Sequence, residues 1–237
     1  MITISGLSKS YNGKKVVDNL SFTLQEGTLF ALLGSNGAGK STTIKMILSL
    51  VKKDEGTIEI PEDIFIGYSP ETPYFPPFLT GMEVLSYYGA LQKIPKKNLG
   101  EECSALLELV GLKDEKSRVK YYSKGMLQRL ALAQALLGNP PVLILDEPCA
   151  GLDAMGRIEM IELIGELKKQ GKTILMNSHI LSDIEKVCDK GIIIQKGKVM
   201  RTFTKEDLSP NASLEDIFIE AMNGSTNLCP PEAGREV

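Results

Sequence analysis

The sequence predicts an α/β fold: a mostly parallel sheet covered on both faces, with an antiparallel β region at the start and a block of helices inserted part-way. Three observations carry this. Short continuous apolar runs, "LFALLG" (29–34), "VLILD" (142–146) and "TILMNS" (173–178), have the length and character of strands buried on both sides. Helix-period segments alternate with them, the order that builds a parallel sheet. Residues 2–25 instead alternate apolar and polar in two runs, "ITISGLSKSY" and "VVDNLSFTL", with "NGKK" between, which predicts an antiparallel hairpin.

The elements follow in order. After "LFALLG" a helix is expected from Gly39 to about Val51, and "GTIEI" and "IFIGY" read as strands. Residues 72–79, "TPYFPPFL", carry three prolines and are expected to be irregular. From Gly81 to about Lys120 the pattern is helical, with no strand signal to interrupt it. "SKGMLQRLALAQALLGNP" (123–140) is apolar nearly all round, so it reads as a buried helix ended by Pro140 and Pro141. "AMGRIEMIELIGELKKQG" is an amphipathic helix stopped at Gly171. "GIIIQKGKVMRTFT" reads as a closing hairpin, "SLEDIFIEAM" as a terminal helix, and 223–237 as a disordered tail.

Composition narrows the function classes. The chain has 237 residues, 43% hydrophobic and 24% charged, enough for one large domain or two lobes. A net charge of -3 offers no broad basic field, so no nucleic-acid partner is expected. The opening "MITISGLSKSY" lacks the basic and apolar regions of a secretory signal, and no apolar run approaches the ~20 residues that span a bilayer. The four cysteines, at 103, 149, 188 and 229, form no C-x-x-C pair and read as reduced thiols.

In sheets of this kind ligands sit beyond the carboxyl ends of the strands, where Gly34, Asp146 and His179 all fall. "GSNGAGKS" (34–41) matches G-x-x-x-x-G-K-[ST] with a buried strand before it and a helix after it. Gly34, Gly37 and Gly39 let the backbone curl so that its N–H groups face a phosphate, with Ser35, Asn36 and Ala38 completing the loop. The helix N-terminus adds positive partial charge. Lys40 can reach the β- and γ-phosphates, the Ser41 hydroxyl can ligate Mg²⁺, and Thr42 follows in the same turn. This pattern implies nucleoside triphosphate binding, with ATP and GTP both open. "VLILDEP" (142–148) places two carboxylates at a buried strand's tip: Asp146 suits the Mg²⁺ shell and Glu147 suits polarising a water for hydrolysis. His179 is the single histidine of the chain.

With these motifs in order, the chain resembles the nucleotide-binding subunit of an ATP-binding cassette (ABC) transporter over residues 2–222. "YYSKGMLQRLALAQALLGNP" stands where that family has its signature motif, "CAGLD" resembles its D-loop and "NSHIL" its switch-histidine segment. The resemblance implies a P-loop NTPase core of RecA type, an N-terminal antiparallel β subdomain and an inserted α-helical subdomain over about 80–138. It implies ATP rather than GTP, with Mg²⁺, and an adenine stacked on Tyr11. It gives His179 a contact with the γ-phosphate that holds the attacking water in line with Glu147. It gives Ser123 and Gly125, at the start of a helix, the γ-phosphate bound by another copy, so that each ATP lies between two chains. Glu71, at the end of "IFIGYSP", stands where the family has a Gln that offers an oxygen to Mg²⁺. "YSKGM" departs from the common L-S-G-G-Q at Lys124 and Met126, and Cys149 stands where Ser or Thr is usual.

The implied function is an ATPase that powers a transporter of the ABC-2 exporter branch. It would act with a separate transmembrane permease and a second ATP-binding subunit, a homodimer being favoured over a heterodimer, on the cytoplasmic face of the membrane. Tyr74, Phe75 and Phe78 are the expected docking aromatics. The alternative is a soluble ABC ATPase of a cluster-assembly or other non-transport complex.

Overall fold

β1 (Ile2–Tyr11) and β2 (Lys14–Leu24) form the expected hairpin, with Tyr11 opposite Lys14. Its two-residue turn, Asn12-Gly13, has φ of 50° and 77°, the conformation that matches the twist of paired strands. β3 (Leu29–Gly34) leads into α1 (Lys40–Ile47), then β4 (Glu55–Glu59) and β5 (Ile66–Ser69). The helical block holds α2 (Gly81–Leu91), α3 (Lys96–Leu109) and α4 (Lys124–Leu136). β6 (Val142–Asp146), α5 (Ala154–Lys169), β7 (Thr173–Asn177) and α6 (Leu181–Val187) follow, and β8 (Lys190–Gln195), β9 (Lys198–Thr204) and α7 (Leu214–Met222) close the chain. The computed structural model describes residues 1–62, 64–113, 116–209 and 212–224. Beyond Gly224 the expected disordered tail, with Cys229, lies outside the described residues. Cys103, Cys149 and Cys188 are buried free thiols.

The main sheet runs β5-β6-β7-β3-β8-β9, parallel except for the antiparallel β8–β9 edge, and a second, antiparallel sheet runs β2-β1-β4. Alternation along the central strands divides the core in two, as the period of a strand requires. Leu29, Ala31, Leu33, Leu143, Leu145, Ile174 and Met176 pack against α2 to α7. Phe30, Leu32, Val142, Ile144 and Leu175 pack against α1 and the N-terminal sheet. Removing each such leucine from water contributes roughly 1.5–3 kcal/mol. This is why these strands read as continuous apolar runs rather than as alternation.

Helix starts follow local chemistry. Thr80 and Glu83 form a reciprocal capping box at α2, Ser123 Oγ accepts from Met126 N at 3.1 Å at α4, and Asp153 Oδ1 accepts from Gly156 N at 2.8 Å at α5. Such caps are worth about 1 kcal/mol each.

The structure corrects several expectations. α1 stops at Ile47, short of Val51, because Ser49 turns left-handed at φ 57° and the N–H groups of Leu50 and Val51 fold back onto the Lys45 carbonyl. α4 ends at Leu136, before Pro140 and Pro141, because Leu137 is extended and Gly138 takes φ 70°. α6 was not expected: its seven residues are too few to display a helical period. Of the three expected docking aromatics, Tyr74 and Phe78 are 83% and 65% exposed, but Phe75 is 6% exposed and packs edge-on against Tyr88.

Candidate functional site

The tips of β3, β6 and β7 open into a cleft of roughly 510 Å³ lined by residues 36–42 with Val16, Glu71, Glu147, Asn177 and His179. Its floor is the loop between β3 and α1. At Gly39, φ is 108° and a Cβ would lie 2.6 Å from the Val16 carbonyl oxygen, so only glycine fits both the backbone and the space. The first ladder bond of α1 runs from Thr43 N to Gly39 O at 2.9 Å. The N–H groups of Lys40, Ser41 and Thr42 therefore lack helical acceptors and are available to an anion.

Lys40 is 8% exposed, and its ammonium donates to the Gly34 carbonyl at 2.7 Å and the Ser35 carbonyl at 3.3 Å. Gly34 and Ser35 thus serve through main-chain oxygens and are absent from the cleft lining. Burial pushes the Lys40 ammonium below the usual lysine range, while the fields of Glu147, Asp146 and Glu71 pull it back up. A polyphosphate would supply acceptors that the two carbonyls now provide, without taking the lysine out of the site.

The carboxylates opposite are held by three elements. Asp146 ends β6 and is 3% exposed. Its Oδ1 accepts from Asn177 Nδ2 at 2.5 Å. Burial holds the Asp146 carboxyl above the usual carboxylate range; the Asn177 hydrogen bond opposes this, and the negative Glu71 and Glu147 add to it. Glu147 sits at φ 53°, an uncommon conformation for a residue with a side chain, fixed by neighbours on both sides. Its N–H donates to the Asn177 carbonyl at 3.0 Å and its carbonyl accepts from Gln128 Nε2, on α4, at 2.9 Å.

His179 lies two residues beyond β7 and meets Glu147 twice. Its Nδ1 is 2.7 Å from Glu147 Oε2, and its main-chain N donates to the same oxygen at 3.3 Å. The side chain is 64% exposed, which leaves Nε2 for a second partner. The segment is anchored behind by Arg157 of α5, whose guanidinium donates to both oxygens of the buried Asp183 on α6.

Three carboxylates around one buried ammonium leave negative charge uncompensated, and hard oxygen donors of this kind suit Mg²⁺. Among the described residues no three of His, Cys, Asp and Glu converge into a metal cage. Mg²⁺ in phosphate sites keeps several of its waters and is commonly bound through one or two carboxylates plus phosphate oxygens.

Not every expected residue reaches this cleft. Tyr11 is 44% exposed at the end of β1, with the Lys9 ammonium 5.5 Å from its ring centre, and Val16 of β2 lines the cleft instead. Ser123 and Gly125 line a different cleft of roughly 270 Å³, with Met126, Arg129, Gly151, Leu152, Asp153 and Gly156. Sequence reasoning missed Asn177 and Gln128. The available signal was an amide closing the apolar run Ile174–Met176, and two amides, Gln128 and Gln134, on a helix otherwise rich in apolar residues, of which only Gln128 is buried.

A family model described as ABC transporter matches residues 17–150. The chain is 43% identical over 192 residues to an ABC transporter ATP-binding protein of Synechocystis, covering 76% of this chain and 54% of the relative. It is 42% identical over 205 residues to another of Bacillus subtilis, covering 84% and 69%. It is 43% identical over 212 residues to the bacitracin transport ATP-binding protein of Bacillus licheniformis, covering 84% and 68%. The match thus spans about half the length of the first relative and about two thirds of the other two. A solved ATP-binding subunit of an ABC transporter superposes with a TM-score of 0.84 at 31% identity, covering 94% of this chain and 99% of that one. An ATP-binding cassette solved as a dimer with ADP and Pi shares the fold, with a TM-score of 0.79 at 22% identity over 86% of this chain and 99% of that one.

Proposed function

The chain belongs to the ABC transporter family, and on that premise we propose that it binds and hydrolyses ATP to drive a separate membrane subunit. The observation that carries this is the convergence of the Lys40 ammonium, the Glu147–His179 pair and Asp146 at one rim of the sheet.

In this reading the phosphates lie on the 34–39 loop and the first turn of α1. Lys40 exchanges its carbonyl partners for phosphate oxygens. Ser41, Asp146 and Glu71 would hold Mg²⁺, which offsets charge on the transferring phosphoryl group. Glu147 accepts a proton from the attacking water as its oxygen bonds the γ-phosphorus and ADP departs. His179 positions Glu147 through Nδ1 and offers Nε2 to the γ-phosphate. The separation of the Ser123–Gly125 cleft from the phosphate cleft supports a γ-phosphate shared between two chains, with a homodimer favoured.

Exposed Tyr74, Phe78, Tyr87 and Leu91 support a docking surface for the permease. No helix among the described residues is long and apolar enough to cross a membrane. A partner would therefore hold the subunit at the cytoplasmic face. Relatives named for bacitracin transport and for linearmycin resistance support export. None of these observations favours the non-transport alternative.

Lys40→Ala removes the cation facing the phosphates. Charge-assisted bonds contribute about 1.5–3 kcal/mol each, so affinity for a slowly hydrolysed ATP analogue should fall by roughly a hundredfold or more. Isothermal titration measures it, and unchanged affinity would remove the phosphate loop from this role. His179→Ala should lower phosphate release by about tenfold or more while changing analogue affinity less than about threefold, because the exposed ring gives the nucleotide only one contact among many and acts mainly by orienting Glu147. Wild-type turnover in that variant would make the His179–Glu147 contact incidental.

A further inference from the structure

The geometry points to Asn177 as a positioning residue of the hydrolytic site, holding both carboxylates at the tip of β6 and presenting a free carbonyl oxygen to the water shell of the bound cation; this rests on the ATPase reading above.

Asn177 closes β7, directly opposite Asp146 in the parallel register. It is 1% exposed, yet it lines the cleft with residues 36–42 and Glu147. Its side-chain Nδ2 donates to Asp146 Oδ1, and its main-chain carbonyl accepts from Glu147 N. One residue therefore sets the direction of the metal-facing carboxylate and the backbone of the water-facing one.

Its Oδ1 is buried with no hydrogen-bond partner among the described residues. A buried amide oxygen left unpaired keeps its full desolvation penalty, and such atoms are rare unless a ligand or water completes them. Turning the amide over does not relieve it, because the oxygen would then face the Asp146 carboxylate, acceptor against acceptor. The oxygen needs a donor. Phosphate oxygens at neutral pH are acceptors, and the Lys40 ammonium is committed to the loop or to those phosphates. The donor that arrives with the nucleotide is a water carried by the divalent cation. Groups that hold a metal's ligands and waters from the second layer typically contribute 10- to 100-fold in metal affinity.

The test separates metal binding from nucleotide binding. Full-length wild type, Asn177→Ala and Asn177→Leu are titrated with a slowly hydrolysed ATP analogue in EDTA. The analogue complexes are then titrated with Mn²⁺, followed by electron paramagnetic resonance. Asn177→Leu keeps side-chain volume without polar atoms, and Asn177→Ala keeps the fold testable should the leucine variant misfold. The expected result is metal-free analogue affinity within about threefold of wild type, with Mn²⁺ affinity lowered about tenfold or more. The Mg²⁺ concentration for half-maximal turnover should rise more than the KM for ATP. Wild-type Mn²⁺ affinity in both variants would overturn the inference, as would equal losses with and without the metal, which mark a structural role only. A wild-type protein that fails to bind the analogue would sink the ATPase reading, and this inference with it.

Discussion

Glu147→Gln is expected to retain ATP binding and to lose hydrolysis by at least about a hundredfold, the range for removal of a general base, or about 2.7 kcal/mol on the barrier. The substitution is nearly isosteric. Its amide oxygen can still accept from His179 N and the ring, and the main-chain bonds to Asn177 and Gln128 do not involve the changed atoms. The strained φ of 53° is imposed by those main-chain bonds, so the site should keep its shape. What disappears is the capacity to take the proton of the attacking water. Because the γ-phosphate is no longer consumed, the proposed ATP-bound dimer should persist. Phosphate release measures the first effect, and size-exclusion chromatography in MgATP measures the second. Normal turnover would remove Glu147 as the base, and a strictly monomeric variant would count against the shared-phosphate arrangement.

Gly39→Ala should disable the site from beneath. The added methyl would meet the Val16 carbonyl oxygen at 2.6 Å and the Val17 side chain at 3.2 Å, on a backbone with φ 108°. Neither can yield freely. Asp18 N donates to the Gly197 carbonyl and Gly197 N to the Ala38 carbonyl, each at 2.9 Å, so strand β2, the β8–β9 turn and the β3–α1 loop are tied together at this point. Strain and overpacking together should cost roughly 3 kcal/mol, and the melting temperature should fall by about 10 °C in a protein of this size. Analogue affinity should fall as well, since the clash tilts the first turn of α1 away from the phosphates. Thermal melts and titration check both. A variant that melts and binds like wild type would mean that β2 gives way without cost.

Much of this site was legible because its chemistry is written in contiguous residues. The loop from Gly34 to Ser41, the Asp146–Glu147 tip and His179 each sit at the end of an apolar run, and a buried parallel strand leaves few alternatives for that pattern. What stayed hidden depended on contacts between segments distant in sequence. Asn177 has meaning only because β6 and β7 run side by side in register. Gln128 matters because α4 lies against the β6 tip. Phe75 sits in a proline-rich loop whose two other aromatics point outward, and no periodicity there says which ring turns in. α6 is shorter than the two turns a pattern needs.

Gln128 gives α4 a second meaning. The helix begins at Ser123, in the cleft proposed to meet the other subunit's nucleotide, and Gln128, five residues on, grips the Glu147 carbonyl and reaches the Pro70 carbonyl beside Glu71. Those residues are separated by roughly 7–8 Å of helix, a span that behaves as a rod. In the proposed dimer, a γ-phosphate docking at one end would therefore pull on the carboxylate rim at the other. Thermodynamic linkage makes the exchange reciprocal: whatever free energy dimer closure lends to ordering Glu147 in one site, an ordered Glu147 returns to closure. Each subunit would report the state of its neighbour's nucleotide to its own catalytic base through a single side-chain amide.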